Sequence, residues 1–426
     1  MIDIDMVRGN PDAVRSSLQR RGDPAKVRML EDLISKDREW RALGQQLDSL
    51  RNSRNVLTKR IQEGRIRKED VSALIEEAKQ LPAKIRDGDE RLERLRGEVD
   101  HLLMRIPNIL HESVPFGKDE SGNVVVKEWG RPTKPDFEVK HHGQLAVELG
   151  VADFERAVKI SGTGFFFLKG ELALMDLALQ RLAIDMLSKK GYVLVQPPFI
   201  MNRKPYEGVT DLASFETVMY KVEGQDGYLI ATSEHPMAAM HGNEIIDEGD
   251  LPIKYAGVSQ CFRREIGKHG LDERGFFRVH QFNKVEQFVF CRPEDSWTYF
   301  EELARNCQEL LEALEVPYNV TNICTGDIGD IAAKKYDTNG WSPREGKYIE
   351  LMSCSNCTDY QANRLGIRTR RKDASKTAVH TLNNTMVATT RMLRILLETY
   401  QTPEGAIKVP EILQPYMNGI KEITGK

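Results

Sequence analysis

The sequence predicts an α+β protein: an antiparallel helical coiled-coil hairpin at the N-terminus, then an antiparallel β-sheet flanked by helices. Three observations support this. Apolar residues alternate steps of three and four from Val71 to Ile106. A second seam in the same phase precedes them across a short polar stretch. Beyond residue 250, two long β-rich runs flank a polar loop. With 426 residues the chain is too long for one ordinary domain. The expected divisions are 1–107, with the arm at about 26–106, a connector at 108–170, and a main domain at 171–426.

Composition excludes several classes. No apolar run reaches the roughly 18 residues of a membrane helix, so no membrane partner is expected. The start, MIDIDMVRGNPDAVRSSLQRR, has no apolar core of a secretory signal. Six scattered cysteines do not form a disulfide framework, and the expected location is the reducing cytoplasm. The formal net charge of −3 singles out no partner until it is divided. Residues 26–105 carry 19 basic and 16 acidic side chains. Residues 51–68 carry seven basic ones (Arg51, Arg54, Lys59, Arg60, Arg65, Arg67 and Lys68) against Glu63 alone. Such a patch attracts a polyanion, although a solvated helix end has the same composition.

The arm is the first element. Val71, Leu74, Ala78, Leu81, Ile85, Gly88, Leu92, Leu95, Val99, Leu102 and Ile106 form a heptad seam. Leu33, Trp40, Leu43, Leu47, Leu50, Leu57 and Ile61 form its partner, with Lys36 and Arg54 at two seam positions. The polar QEGRIRKED between Ile61 and Val71, containing Gly64, predicts the turn. About 37 residues per helix give an arm of roughly 55 Å, its basic cluster at the tip. Pro82 should kink or locally break the second helix, and Gly88 and Gly97 should weaken it.

The main domain follows. Residues 170–190 read as a helix, and GYVLVQPP (191–198) as a strand closed by prolines. Residues 255–264 and 276–290 read as a long β-hairpin. Side chains alternate faces along a strand. Arg263 and Glu265 then share a face of the first strand with Arg264 opposite, Arg278, Phe282 and Glu286 share a face of the second, and one sheet surface could hold all five groups. A guanidinium can fork onto phosphate and a ring can stack on a base. A carboxylate can accept from an amine. This combination suits a nucleotide beside an amino acid, and a salt-bridged sheet face remains the plain alternative.

The runs CFRRE (261–265) and RVHQFNKVE (278–286) resemble motif 2 of the class II aminoacyl-tRNA synthetases. GYVLVQPP resembles motif 1, and HTLNNTMVATTR (380–391) resembles motif 3. The basic arm, IPN (106–108), residues 114–120, TSE (232–234) and ELMSCSN (350–356) are similar to the seryl-tRNA synthetase family in particular, across about residues 1–415. The resemblance implies a class II synthetase-like catalytic domain and an N-terminal tRNA-binding domain. It implies activation of L-serine with ATP and transfer to tRNA(Ser), with tRNA(Sec) as an open second acceptor. The alternatives are an amino-acid ligase loading a carrier protein and a catalytically dead RNA-binding paralogue.

Site residues follow from the same resemblance. Arg263 matches the arginine on the α-phosphate, and Glu265 the carboxylate near the adenine amine. Phe282 matches the ring under the adenine, and Arg391 the arginine above that ring, which also neutralises phosphate. Arg264, Arg278, Val279, Leu351 and Met352 complete the expected ATP contacts. Thr232, Ser233, Glu234, Arg263, Glu286, Asn383 and Thr385 match the serine pocket, and the tip cluster binds tRNA. Glu350 and Ser353 match the ligands of a Mg²⁺ that accompanies ATP. They are three residues apart, so both can face the site only if the strand carries a bulge near Met352. The single CxxC at 354–357 lacks a second pair, the nine histidines, including His141-His142, show no metal spacing, and no zinc is expected. His280 is expected to support its motif 2 neighbours. A homodimer through motif 1 is expected.

Overall fold

The computed structural model of the chain describes residues 1–265 and 275–425. Residues 266–274 of the expected hairpin loop lie outside the described residues. The chain divides into two units, Met1–Pro107 and Asn108–Lys426.

In the first unit two short helices, Ile4–Gly9 and Pro11–Arg20, precede the hairpin. Side chains of Asp3, Asn10 and Asp23 accept backbone N–H groups where the successive helices start. The hairpin is α1 (Pro24–Ile66) and α2 (Ser72–Leu103). Seam residues Leu57, Leu81 and Ile85 are buried against Leu50, Leu74 and Ala78, each on the order of 2 kcal/mol of apolar burial. Ion pairs also cross the hairpin: Lys36, at a seam position, to Glu98 at 2.6 Å, and Arg51 to Asp89 at 2.6 Å.

Two expectations for the arm need correction. The turn is later and shorter than the polar stretch suggested, because α1 continues through Gly64 to Ile66. Its 43 residues span roughly 65 Å. A Cβ on Gly64 would lie 2.5 Å from Val71 Cγ1, so glycine serves close packing here. Lys68, at φ 56°, turns the chain. The second correction is Pro82, which leaves α2 continuous. It is exposed, so the carbonyl it leaves unbonded can meet water, while Leu81 and Ile85 hold the helix to its partner. Gly88 lets the helices approach, since a Cβ there would lie 2.4 Å from Leu47.

In the second unit, the stretch expected as a connector is part of the fold. Residues Val124–Trp129 form β1, an edge strand of the main sheet. The other strands of this sheet are β2 (Val193–Val195), β3 (Ile253–Phe262), β4 (Gln281–Cys291), β5 (Tyr318–Asn322), β6 (Lys334–Ser342), β7 (Lys347–Asn356) and β8 (His380–Ala388). Their order is β1-β5-β6-β7-β8-β4-β3-β2, antiparallel except for the β2–β3 pair. Helices α3 (Gly170–Lys189), α4 (Glu234–Ala239), α5 (Ser296–Ala313) and α6 (Thr389–Thr399) flank it. The largest core packs Leu179, Leu182, Phe300, Leu310, Leu393 and Leu396 of α3, α5 and α6 against Val285, Met352, Met386 and Val387 of the sheet.

Two bulges shape the opposite face. The β6–β7 register passes from Thr338↔Met352 to Asn339↔Glu350 and skips Leu351. The β4–β8 register passes from Val285↔Val387 to Glu286↔Thr385 and skips Met386. An extra residue resets alternation, so positions three apart share a face on either side of it.

Candidate active site

A cavity of about 630 Å³ opens over β4, β6, β7 and β8. Its floor is set by strand alternation and by the bulges. Phe282, Lys284 and Glu286 of β4 all line it, as period two requires. Glu350 and Ser353 both line it because the bulge lies between them, while Met352 turns into the core. Thr385 and Ala388 both line it across the second bulge, and Met386 and Val387 pack in the core.

One end of the cavity is a buried polar cluster. Lys284 Nζ lies 2.6 Å from Glu286 Oε2 and donates to Thr232 Oγ1 at 2.6 Å. Thr385 Oγ1 donates to Glu286 Oε2 at 3.1 Å. Glu286 and Lys284 are only 1% and 4% exposed, so each charge depends on the other. Glu234 faces the same end, where Gln361 Nε2 reaches its Oε1 at 3.5 Å. Loss of water and the nearby Glu286 push the Glu234 pKa up to about 7, against the pull of Lys284. Asn383 also lines the cavity.

The middle of the cavity is aromatic and cationic. The Arg263 guanidinium lies 5.5 Å from the Phe282 ring centroid, within cation–π range. Arg263 Nε donates to the Ala231 carbonyl at 3.2 Å, which orients the side chain. Val279, Glu265 and Leu351 complete the expected residues there. At the far end Arg391 NH1 lies 3.2 Å from Glu350 Oε1 and donates to the Glu350 carbonyl at 3.0 Å. Lys335 also faces the cavity, with Nζ 3.1 Å from Asp337 Oδ2. Burial would raise the Glu350 pKa, but Arg391 and Lys335 hold it below the usual range. Burial and the neighbouring Glu350 push Asp337 up to about 6.

Five expectations differ from the structure. Arg278 precedes β4, which starts at Gln281, so alternation cannot be counted back to it; it pairs with Glu265 at 3.5 Å and does not line the cavity. Arg264 is exposed, and its backbone N–H donates to the Val218 carbonyl at 2.8 Å. Ser233 is fully buried, with Oγ donating to the Gly257 carbonyl at 3.3 Å. Met352 is a core residue. Arg391 lies over Phe277, 5.5 Å from its centroid, and Arg263 takes the place above Phe282. His280 takes the expected supporting role: its carbonyl accepts Arg263 N–H at 2.9 Å and its ring stacks on Phe165.

Sequence reasoning missed Lys284, Lys335 and Phe277. Lys284 was legible, because it falls midway between Phe282 and Glu286 on the same alternating face. Phe277 lies outside the strands, and Lys335 reaches the cavity from β6, which no motif marked. On the arm, Arg54, Lys59, Arg60, Arg65, Arg67 and Lys68 are exposed, while Arg51 is paired with Asp48 and Asp89.

Among the described residues no helix is long and apolar enough to cross a membrane. Comparison with known proteins gives a consistent result. Residues 1–110 match the model of the seryl-tRNA synthetase N-terminal domain, and residues 219–400 that of the tRNA synthetase class II core domain (G, H, P, S and T). The chain is 55% identical over 423 residues to a serine–tRNA ligase of Methanocella arvoryzae, covering 99% of this chain and 100% of that one. It is 44% identical to one of Thermococcus sibiricus, covering 99% and 97%. Among solved structures it resembles seryl-tRNA synthetase from Pyrococcus horikoshii complexed with ATP, with a TM-score of 0.96, 44% identity and 100% of both chains covered. The cytoplasmic serine–tRNA ligase from Naegleria fowleri with AMP gives a TM-score of 0.91 at 36% identity, covering 100% and 99%.

Proposed function

The chain belongs to the serine–tRNA ligase family, and from that premise we propose how its cavity activates L-serine with ATP and passes it to tRNA(Ser). The observation that carries the reading is the buried Thr232–Lys284–Glu286–Thr385 cluster beside the Phe282 ring and the Arg263 guanidinium. The cluster offers a carboxylate and hydroxyls to the serine side chain, and Glu234 receives its ammonium. Phe282 supports the adenine, with Val279 and Glu265 at its edge.

The serine carboxylate oxygen attacks the α-phosphorus, the bond to the β-phosphate oxygen breaks, and pyrophosphate leaves. Arg263 meets the charge that develops on the α-phosphate, and Arg391 and Lys335 meet that of the departing pyrophosphate. A terminal ribose hydroxyl of tRNA then attacks the seryl carbonyl carbon and AMP leaves. No covalent enzyme intermediate is needed, so positioning and charge are the protein's contribution.

Mg²⁺ fits the far end. Glu350 and Ser353 present two oxygens on one face, and Asp337, the register partner of Ser353 on β6, has a buried Oδ1 without a hydrogen bond. A small protein ligand set suits an ion that keeps its waters and binds phosphates. When bound, the ion would neutralise phosphate charge beside Arg391.

The exposed basic residues of the arm bind the tRNA backbone. Leu177 of α3 and Val193 and Leu194 of the edge strand β2 are 60%, 59% and 47% exposed, an apolar surface suited to a homodimer contact. The six buried thiols suit the cytoplasm. The carrier-protein and inactive-paralogue alternatives are not favoured, since the likeness runs over the full length and includes the N-terminal domain. Serine-dependent ATP–pyrophosphate exchange, followed by charging of a tRNA pool, tests the reading. Exchange without charging would favour the carrier ligase, and neither activity the inactive paralogue.

A further inference from the structure

The histidine pair that showed no metal spacing stands next to the motif 2 limb returning to β4. His142 opens the helix His142–Glu148 and is fully buried. Its Nε2 accepts the backbone N–H of Phe276 at 3.1 Å, and its Nδ1 lies 3.0 Å from Glu398 Oε1. A backbone N–H can only donate, so Nε2 carries no proton and Nδ1–H donates to the carboxylate. Burial lowers the His142 pKa, in keeping with a neutral ring. Glu398 is itself held by Ser342 Oγ, which donates to Oε2 at 2.6 Å, and by Arg394, whose Nε is 3.4 Å from Oε1.

Two further observations connect this network to the cavity. A Cβ on Gly275 would lie 2.2 Å from His142 Nε2, so the backbone is pressed against the imidazole. Phe277, one residue past the bonded N–H, lines the cavity, and its ring centroid is 4.4 Å from the Arg394 guanidinium and 5.5 Å from that of Arg391. Arg391, Arg394 and Glu398 fall at i, i+3 and i+7 on α6, on one face of that helix.

We propose that His142 is a positioning residue for the nucleotide: its ring, oriented by Glu398, fixes the backbone at 275–277 and so sets Phe277 against Arg391. The inference rests on the assignment of the cavity to ATP. His142 does not itself line the cavity. It acts through Phe277 and Arg391, so its loss should affect the nucleotide and spare the amino acid.

The test uses full-length His142→Asn, His142→Gln and Gly275→Ala in serine-dependent ATP–pyrophosphate exchange. An Asn amide overlies Nδ1 and can still meet Glu398, but cannot reach Phe276. A Gln amide places an acceptor near Nε2. His142→Asn should raise the KM for ATP roughly tenfold, the loss of one buried partner, with the KM for serine within about twofold. His142→Gln should recover most of the ATP affinity. Should His142→Asn fail to fold, Gly275→Ala should show the same ATP-selective loss, since the limb must move off the ring. An unchanged KM for ATP in His142→Asn and Gly275→Ala overturns the proposal, and so do parallel rises in both KM values that His142→Gln does not relieve. A wild-type protein without serine-dependent exchange refutes the ATP assignment instead.

Discussion

Glu286 concentrates the residue-scale chemistry. It is bonded by Lys284 and Thr385 and is only 1% exposed, so on the proposed assignment its removal deprives serine of a partner and leaves the buried Lys284 ammonium without its counter-charge. Glu286→Ala is expected to lower serine-dependent exchange at least about tenfold while ATP binding, measured by equilibrium titration, changes little. Thr385→Ala should cost less, because water can replace one hydroxyl. On the proposed assignment the same cluster accounts for specificity: alanine would leave these groups without a partner, and polar groups built around a hydroxyl reject such an analogue strongly. Wild-type protein that activated alanine as well as serine would refute this.

Glu234 adds a pH dependence at the same scale. Its pKa of about 7 in the folded protein means that the carboxylate needed by an ammonium is lost as pH falls through 7. The KM for serine is therefore expected to rise by roughly tenfold between pH 8 and pH 6. Glu234→Gln should bind serine poorly at both pH values and abolish the trend. The sign for stability is opposite. The folded state holds this proton more tightly than the unfolded chain, so the contribution to stability declines as pH rises from the unfolded value of 4.5 toward 7.

At the scale of elements, the bulges in β7 and β8 and the arm matter most. The bulge in β7 brings Glu350 and Ser353 to the cavity and Met352 to the core, and that in β8 brings Thr385 and Ala388 to the cavity and Met386 and Val387 to the core. The arm separates a packed seam from an exposed basic tip. Deleting residues 51–68 is expected to cripple tRNA charging, leave serine adenylation nearly intact, and flatten the salt dependence of tRNA binding. Normal charging with an unchanged salt slope would assign the arm another role. Pro82 lies exposed within a continuous helix, so Pro82→Ala should restore a hydrogen bond and stabilise the arm by about 1–3 kcal/mol, read as a higher unfolding midpoint.

At the scale of the whole molecule, the exposed Leu177, Val193 and Leu194 stand out on a sheet edge and its neighbouring helix. Leu177→Asp together with Leu194→Glu should yield a monomer in sedimentation and reduce exchange activity, because an isologous contact places each substitution in the interface twice. A wild-type protein that sediments as a fully active monomer would remove the basis for this expectation.

The sequence alone determined what depends on local spacing. The heptad seam specifies a hairpin because alternating steps of three and four place apolar side chains on one helix face. Period two placed Phe282 and Glu286 together on a strand and would have added Lys284. The need for a bulge between Glu350 and Ser353 followed from the same arithmetic. Only the tertiary structure decided what depends on where strands begin and which chains meet. Strand alternation could not place Arg278, because β4 starts only at Gln281, and residues 108–170 joined the fold because β1 pairs with β5, nearly 200 residues away in sequence. His142 and Glu398, 256 residues apart, became one network around Phe276. Alternation and heptads are short-range consequences of backbone geometry, whereas such pairings are chosen by burial and hydrogen bonding across the whole chain, which no local pattern encodes.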